Sequence, residues 1–264
     1  MSPGDATAGD GFDVRSLALT YRDGHVLDAH AHPWAQLVHA RSGLLDVTAD
    51  GRVWFTPPTR AVWIPAGVEH EIRVRGEAAL RTLYVGAERA SAVRRGVEPL
   101  VVSPLLGELV LHIVSIGMLD PARPEHDRLA GVLMDLVAMA PGIDLVLPLP
   151  RDARALRLAE RVRADPGERT ALDTLARASG ASLRTLQRCF ARETGMTIEA
   201  WRQKARLVHS AVALGEGASV TDAALVSGYE SPSAFIAAFR RHFGTTPGRM
   251  RSGADPAGSR SASG

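Results

Sequence analysis

Residues 170–195, TALDTLARASGASLRTLQRCFARETG, and residues 219–244, SVTDAALVSGYESPSAFIAAFRRHFG, are two versions of one segment. Ala176 and Gly180 in the first match Ala224 and Gly228 in the second, and Leu186 and Phe190 match Phe235 and Phe239. In each copy a short helix runs to a glycine, which supplies a left-handed turn, and a second helix starts a few residues on. The small alanine lets the two helices cross closely. This is a helix-turn-helix written twice, and the second helix of such a pair is the one that lies in a major groove of DNA. Thr170 with Asp173, and Ser219 with Asp222, are candidate caps of the leading helices, while Ser231-Pro232 opens the last one. Between the copies, QKARLVHSAVAL (203–214) predicts one rigid helix with Leu207, Ala211 and Leu214 facing the core. Leu186, Phe190, Trp201, Phe235 and Phe239 read as core, and Cys189 as a small buried filler.

The charge is distributed in the same sense. The net charge of the 264 residues is +2, but residues 1–150 carry 13 basic and 18 acidic side chains, whereas residues 151–252 carry 17 and 10. A basic module joined to an acidic one concentrates counter-charge for phosphate, which points to double-stranded DNA as a partner. No run of 18 apolar residues occurs, so no membrane partner is expected. MSPGDATAGDG at the N-terminus lacks the apolar stretch of a signal peptide, and a lone cysteine fits a reducing compartment. The expected location is cytoplasmic.

The first half reads as β-structure. LLDVTADGRVWF (44–55) alternates apolar and polar residues on both sides of Asp50-Gly51, a hairpin signal, and AVWIP and HEIRVR continue the pattern. After Arg89 the period becomes helical, in PLLGELVLHIVSIGML (104–119) and EHDRLAGVLMDLVAMA (125–140). Leu105, Leu109, His112 or Ile113, and Ile116 would share one face, as would Leu129, Leu133, Leu136 and Val137. Such a pair packs on the β-domain or on a second copy of itself. PGIDLVLPLP (141–150) reads as a linker. The expectation is an α+β multi-domain chain: an unstructured N-terminus (1–11), a β-barrel (12–90), a helical linker for homodimerisation (99–142), an all-α double helix-turn-helix domain (152–251) and an unstructured tail (252–264).

In HAHPWAQL (30–37), Gly24, His30, His32, Gln36 and Gly43 reproduce the spacing of the first cupin motif, with glutamine where glutamate is commonest. Pro65, Gly67 and His70 resemble the second, although Thr59 and Val74 stand at its usual glycine and asparagine. The resemblance implies a cupin barrel whose interior could hold a metal. Residues two apart in a strand share a face, so His30 and His32 point the same way, and His70 has the parity of Ile72 and Val74. Three imidazoles and an amide oxygen from Gln36 suit a divalent transition metal with open positions: Fe, Mn, Ni or Zn. Neutral Gln36 leaves the site more positive than glutamate would. Trp34, Trp54, Phe55 and Trp63 are candidate walls of an apolar pocket for a small-molecule effector, or ordinary barrel core. His25 and His39 lie outside the pattern and read as surface or edge residues.

LQRCFARETG, RLVHSAVAL and GYESPSAFIAAFRRHFGTTP are similar to the DNA-binding domain of the AraC/XylS family of bacterial transcription regulators, over residues 152–251. HAHPWAQL with PPTRAVWIPAGVEHEI resembles its cupin-containing members, in particular the nitroimidazole-efflux repressor subgroup. The resemblance implies that Arg184, Gln187 and Arg188 face base edges, where arginine and glutamine make bidentate bonds. Ser233, Ala234, Ala237 and Arg240 would be the outward face of the second reader, with Ala237 where the family often has arginine. Arg206 and Arg241 are candidates for phosphate contacts. The function implied is a DNA-binding transcription regulator, not an enzyme, with a metal or effector in the barrel. The alternative is a cupin metalloenzyme, dioxygenase- or isomerase-like, fused to a DNA-binding domain.

Overall fold

The computed structural model describes residues 11–142, 145–215, 217–243 and 245–251. The chain divides into two compact units, 1–145 and 146–264. The expectations for 1–11 and 252–264 fall, apart from Gly11, outside the described residues. No helix among the described residues is long and apolar enough to cross a membrane.

The first unit contains β1 (Val14–Tyr21), β2 (Val26–His30), β3 (Trp34–His39), β4 (Leu44–Ala49), β5 (Arg52–Thr56), β6 (Arg60–Ile64), β7 (His70–Arg75) and β8 (Ala78–Gly86). There follow α1 (Ala87–Ala90), β9 (Glu98–Val101), α2 (Pro104–Ile116), β10 (Met118–Leu119) and α3 (Pro124–Met139). One antiparallel sheet has the order β10-β1-β8-β3-β6-β9; facing it, β5, β4, β7 and β2 are neighbours in that order. Asp50 and Gly51 both have positive φ, 48° and 66°, as a two-residue hairpin between right-twisted strands requires.

Residues 99–142 lie within this unit. α2 and α3 cover the outer face of the six-stranded sheet, and Ala35, Leu37, Ala61, Trp63, Leu83 and Val85 pack against Leu106, Leu109, Val110, Ile113, Leu133 and Val137. The face expected for the first helix is therefore rotated. Leu105, at 61% exposure, and Ile116 point away from the sheet, while Leu106 and Val110 point into it. A helix apolar on most sides offers two stripes, and only the sheet selects between them. In α3 the buried residues are His126, Ala130, Leu133, Met134 and Val137, with Leu129 and Leu136 at the margin.

The second unit contains β11 (Val146–Pro148), α4 (Ala153–Ala164), α5 (Leu172–Ala178), α6 (Leu183–Thr194), α7 (Ile198–Gly215), α8 (Val220–Val226), α9 (Pro232–Phe243) and α10 (Pro247–Arg251). Within the predicted linker, Leu145 and Leu147 are buried. The two helix-turn-helices are α5–α6 and α8–α9, with α7 between them packed against α4, α6, α8, α9 and α10. Leu207, Ala211 and Leu214 are buried, and Trp201 meets Phe190 edge to face at 5.6 Å. Ser182 caps α6 and Ser219 caps α8, accepting from Thr185 N and Asp222 N. Ser231 Oγ accepts from Ala234 N at the start of α9. Thr170 does not cap α5; its hydroxyl donates to Glu168, and Ala171 is the cap position.

Gly43 sits at φ +77°, and a Cβ there would overlap the Glu77 carbonyl and the Ala78 backbone, whereas one on Gly51 would meet open space. In urea unfolding, Gly43→Ala is expected to cost at least ~3 kcal/mol, from left-handed strain plus the overlap, and Gly51→Ala about 1 kcal/mol from strain alone.

Candidate effector site and nucleic-acid interface

Alternation along the strands separates the inside of the barrel from its outside. Ala35, Leu37, Ala61 and Trp63 belong to the core under the helices, so Gln36, Val38, Arg60, Val62 and Ile64 point inward. On the facing sheet, His70, Ile72 and Val74 pair with Ala49, Val47 and Leu45, which share the inward side. His30 pairs directly with His70 across β2 and β7, after a bulge. His32 lies in the loop entering β3, held by a 2.9 Å bond from Gly67 N to its carbonyl. The loop and the bulge bring three rings together, with centroids 4.5 Å (His30–His70), 5.1 Å (His32–His70) and 5.8 Å (His30–His32) apart. One nitrogen from each lies within 4.8 Å of the others.

Every ring is oriented by a carbonyl. Nδ1 of His30 meets Asp28 O at 2.7 Å, that of His32 meets Trp34 O at 2.8 Å, and that of His70 meets Val68 O at 2.9 Å. A carbonyl only accepts, so each Nδ1 carries a proton, and in the neutral ring each Nε2 keeps its lone pair. His70 Nε2 is buried with no hydrogen-bond partner. Burial, reinforced by the charges of His30 and His32 and opposed by the Val68 bond, holds the His70 pKa down to about 4. It is neutral at pH 7.

Thr82 sets the polarity of the remaining donor. Its hydroxyl has one hydrogen, which goes to Leu37 O at 2.9 Å. It must therefore accept from Gln36 Nε2, also at 2.9 Å, and this turns Gln36 Oε1 toward His32 Nε2 at 3.1 Å. Two acceptors then face each other unless a cation, either a proton or a metal ion, stands between them. Orphaned His70 Nε2, three carbonyl-oriented imidazoles and an inward amide oxygen are a donor set that fits a divalent transition metal.

The four candidate pocket residues do not share a wall. Trp34 and Trp54 have inward parity; Trp63 packs under the helices, and Phe55, next to Trp54 in β5, faces the other way. His39, expected as a surface or edge residue, is buried, with Nε2 bonded to Pro58 O at 2.9 Å. Sequence reasoning also passed over Thr82 and Tyr84, although Leu80, Thr82 and Tyr84 alternate in β8. Tyr84 meets the edge of His32 at 5.2 Å, and burial pushes its pKa up to about 12. Glu71 has outward parity and lies 3.5 Å from Arg73, and Glu69 is exposed.

In the second unit, Arg184, Gln187 and Arg188 are exposed on one face of α6, opposite buried Leu186, Cys189 and Phe190. Ser233, Ala234, Ala237, Arg240 and Arg241 are exposed on α9, opposite Phe235, Ala238 and Phe239. Arg206 stands apart from both faces. Its Nε donates to Pro166 O at 2.9 Å and its Nη2 to Glu168 O at 3.3 Å, so the guanidinium is committed to tying α7 to the 165–170 loop.

A β-rich unit with an inward polar cluster, followed by two helix-turn-helices on a shared helix, is the architecture of a DNA-binding regulator with an N-terminal ligand-binding domain. Residues 15–158 match the AraC-like ligand binding domain and residues 175–253 a helix-turn-helix domain. The chain belongs to the AraC family of transcription regulators. It is 35% identical to the HTH-type transcriptional regulator NimR of Escherichia coli K12 over 222 residues, 83% of this chain and 80% of that one. It is 37% identical to the HTH-type transcriptional regulator RipA of Corynebacterium glutamicum over 107 residues, 40% of this chain and 32% of that one. Among solved structures, unsaturated-fatty-acid-bound ToxT of Vibrio cholerae covers 92% of this chain and 95% of its own length, at 11% identity and a TM-score of 0.38. The relatives are named as regulators of transcription, not as enzymes.

His70 is neutral in the folded barrel, while an unfolded chain takes up the proton near pH 6.5. The unfolded state thus binds more protons between pH 6.5 and 4, and stability falls as pH drops through that window. His39, lowered by burial, acts in the same direction. In chelator-treated protein, urea unfolding from pH 7 to pH 4 should lose ~3 kcal/mol through His70 alone, levelling off below pH 4.

Proposed function

We propose that this AraC-family regulator holds a divalent transition metal (Fe, Mn, Ni or Zn) on His30, His32 and His70 with Gln36 beside them, and that metal or effector in the barrel sets its affinity for operator DNA. The observation that carries this reading is the opposition of His32 Nε2 and Gln36 Oε1 at 3.1 Å, with both polarities dictated by backbone carbonyls. A bound metal would accept both lone pairs together with those of His30 and His70, and would supply a Lewis-acidic centre for a ligand. The chain's own part is to fix the tautomers and the amide, and to keep the cluster largely dry. Control of DNA binding requires that the effector bind two states of the regulator with different affinity.

Arg184, Gln187 and Arg188 would read bases in one major groove, and Ser233, Ala234, Ala237 and Arg240 would face the next, with Arg241 near phosphate. Support comes from their exposure on the second helix of each pair. Homodimerisation through α2 and α3 is supported by exposed Leu105, Ile116, Val132 and Met139. A regulator of this kind acts in the cytoplasm, where the DNA is.

Metal content of the purified, tag-free chain tests the reading. Near-stoichiometric metal is expected, lost in His70→Ala and reduced in Thr82→Val, which frees Gln36 to turn. Absence of metal after reconstitution with Fe(II), Mn(II), Ni(II) or Zn(II) would overturn it. On an operator selected from random DNA, Arg184→Ala should cost ~1–3 kcal/mol and relax the preference at one base position. Val132→Glu should sediment as a monomer if α3 carries the dimer.

A further inference from the structure

The barrel has a second unsatisfied end. Arg60 opens β6 at an inward position, four residues along the strand from Ile64, which pairs with Gln36 beside the histidines. It is only 8% exposed, and its Nε is buried without a hydrogen-bond partner. Its Nη1 reaches no further than the carbonyl of Thr59, at 2.8 Å. No carboxylate among the described residues forms a salt bridge with it, whereas three less buried arginines of this unit have one: Arg75 with Asp46, Arg89 with Asp13 and Asp127, and Arg94 with Glu98. Desolvation by burial lowers its pKa to about 10. A buried guanidinium with no counter-charge is costly, and folds retain one where something negative comes to it.

The surroundings indicate what that is. Strands β1–β8 carry three carboxylates, and none points inward: Asp28 is exposed, Asp46 pairs outward with Arg75, and Glu71 has outward parity. Trp54 is inward on β5, just before the 57–59 turn that leads to Arg60. It is 2% exposed, and its indole Nε1 has no acceptor. Val38, Val62, Leu45, Val74 and Leu80 are further inward residues of this half and are apolar, and Thr56, paired with Leu45, adds one buried hydroxyl. One cation, one indole donor, one hydroxyl and an otherwise aliphatic lining suit a single negative charge on an apolar body. A dianion such as phosphate would need a second cation.

We propose that the end of the barrel remote from the histidines binds the carboxylate of a small monoanionic effector, with Arg60 Nε and Trp54 Nε1 as its donors. This assignment rests on the reading of the barrel as the effector-binding unit, and it needs no metal. The planar fork of arginine matches a carboxylate, and the dry site strengthens the charged hydrogen bonds.

The test is thermal unfolding of the full chain, stripped of metal with chelator, against acetate, benzoate and phenylacetate, each paired with its neutral amide. At saturating concentration at least one carboxylate should raise the wild-type Tm by about 4 °C or more, while its amide does not. Arg60→Met should abolish that rise and, without ligand, melt at or above the wild-type temperature, because a buried unpaired charge has been replaced by a similar apolar volume. Arg60→Lys should keep only part of the rise. The proposal is overturned if no carboxylate stabilises the protein, if the amides act equally, or if Arg60→Met retains the response. It is also overturned if the ligand-free Arg60→Met protein melts well below wild type, which would make the arginine structural. Metal content is measured separately, so either site can fail while the other stands.

Discussion

Strand β3 is buried on both faces, and the first unit is organised by that constraint. Its outward residues, Ala35 and Leu37, lie in the core under α2 and α3. Its inward residues, Trp34, Gln36 and Val38, line the barrel. The backbone between them ties the two sides together: the Leu37 carbonyl takes the only hydrogen of Thr82, which orients Gln36, which faces His32. A shift of β3 by one residue would exchange every one of these positions. The histidine cluster is therefore as well defined as the pairing of β3 with β6 and β8.

The second unit depends on α7 in a comparable way. Arg202 and Arg206 donate to the carbonyls of Pro166, Glu168 and Thr170, drawing the loop before α5 onto the helix. That loop also meets the turn of the other helix-turn-helix. A Cβ on Gly228 would lie 3.2 Å from the Gly167 carbonyl oxygen, so the two glycines allow an approach that side chains would prevent. Helices α6 and α9 are thus set within one packed body. An arginine that looks basic and available in the sequence is here an internal tie.

Much of this was legible beforehand because it rests on local periods. The repeated Ala-x3-Gly and the apolar spacing of Leu186, Phe190, Phe235 and Phe239 require helices that turn at a glycine. Asp50-Gly51 requires a hairpin, and the motif spacing singles out His30, His32 and His70, but strand parity does not bring them together: β2 ends at His30, and His32 reaches the cluster from a loop. Alternation also contains Thr82 and Tyr84, but neither is a usual metal ligand, so residue type alone does not mark them. What failed were choices between equivalent faces. α2 has two apolar stripes, and the one containing Leu106 and Val110 was taken by the sheet. The aromatics near the motif are equally apolar, and strand parity sends Trp63 and Phe55 away from the barrel.

By itself the sequence determined the element types, the two helix-turn-helices, the charge contrast between the halves and the identities of the clustered histidines. These depend on backbone geometry and on residue chemistry repeated at fixed intervals. Only the tertiary structure decided which partner each polar group meets. The protonated side of each imidazole, the direction of the Gln36 amide, the commitment of Arg206 to carbonyls and the isolation of Arg60 all depend on atoms distant in the chain. Hydrogen bonds and charges act over a few ångströms in space, and no period along the chain records which groups come that close.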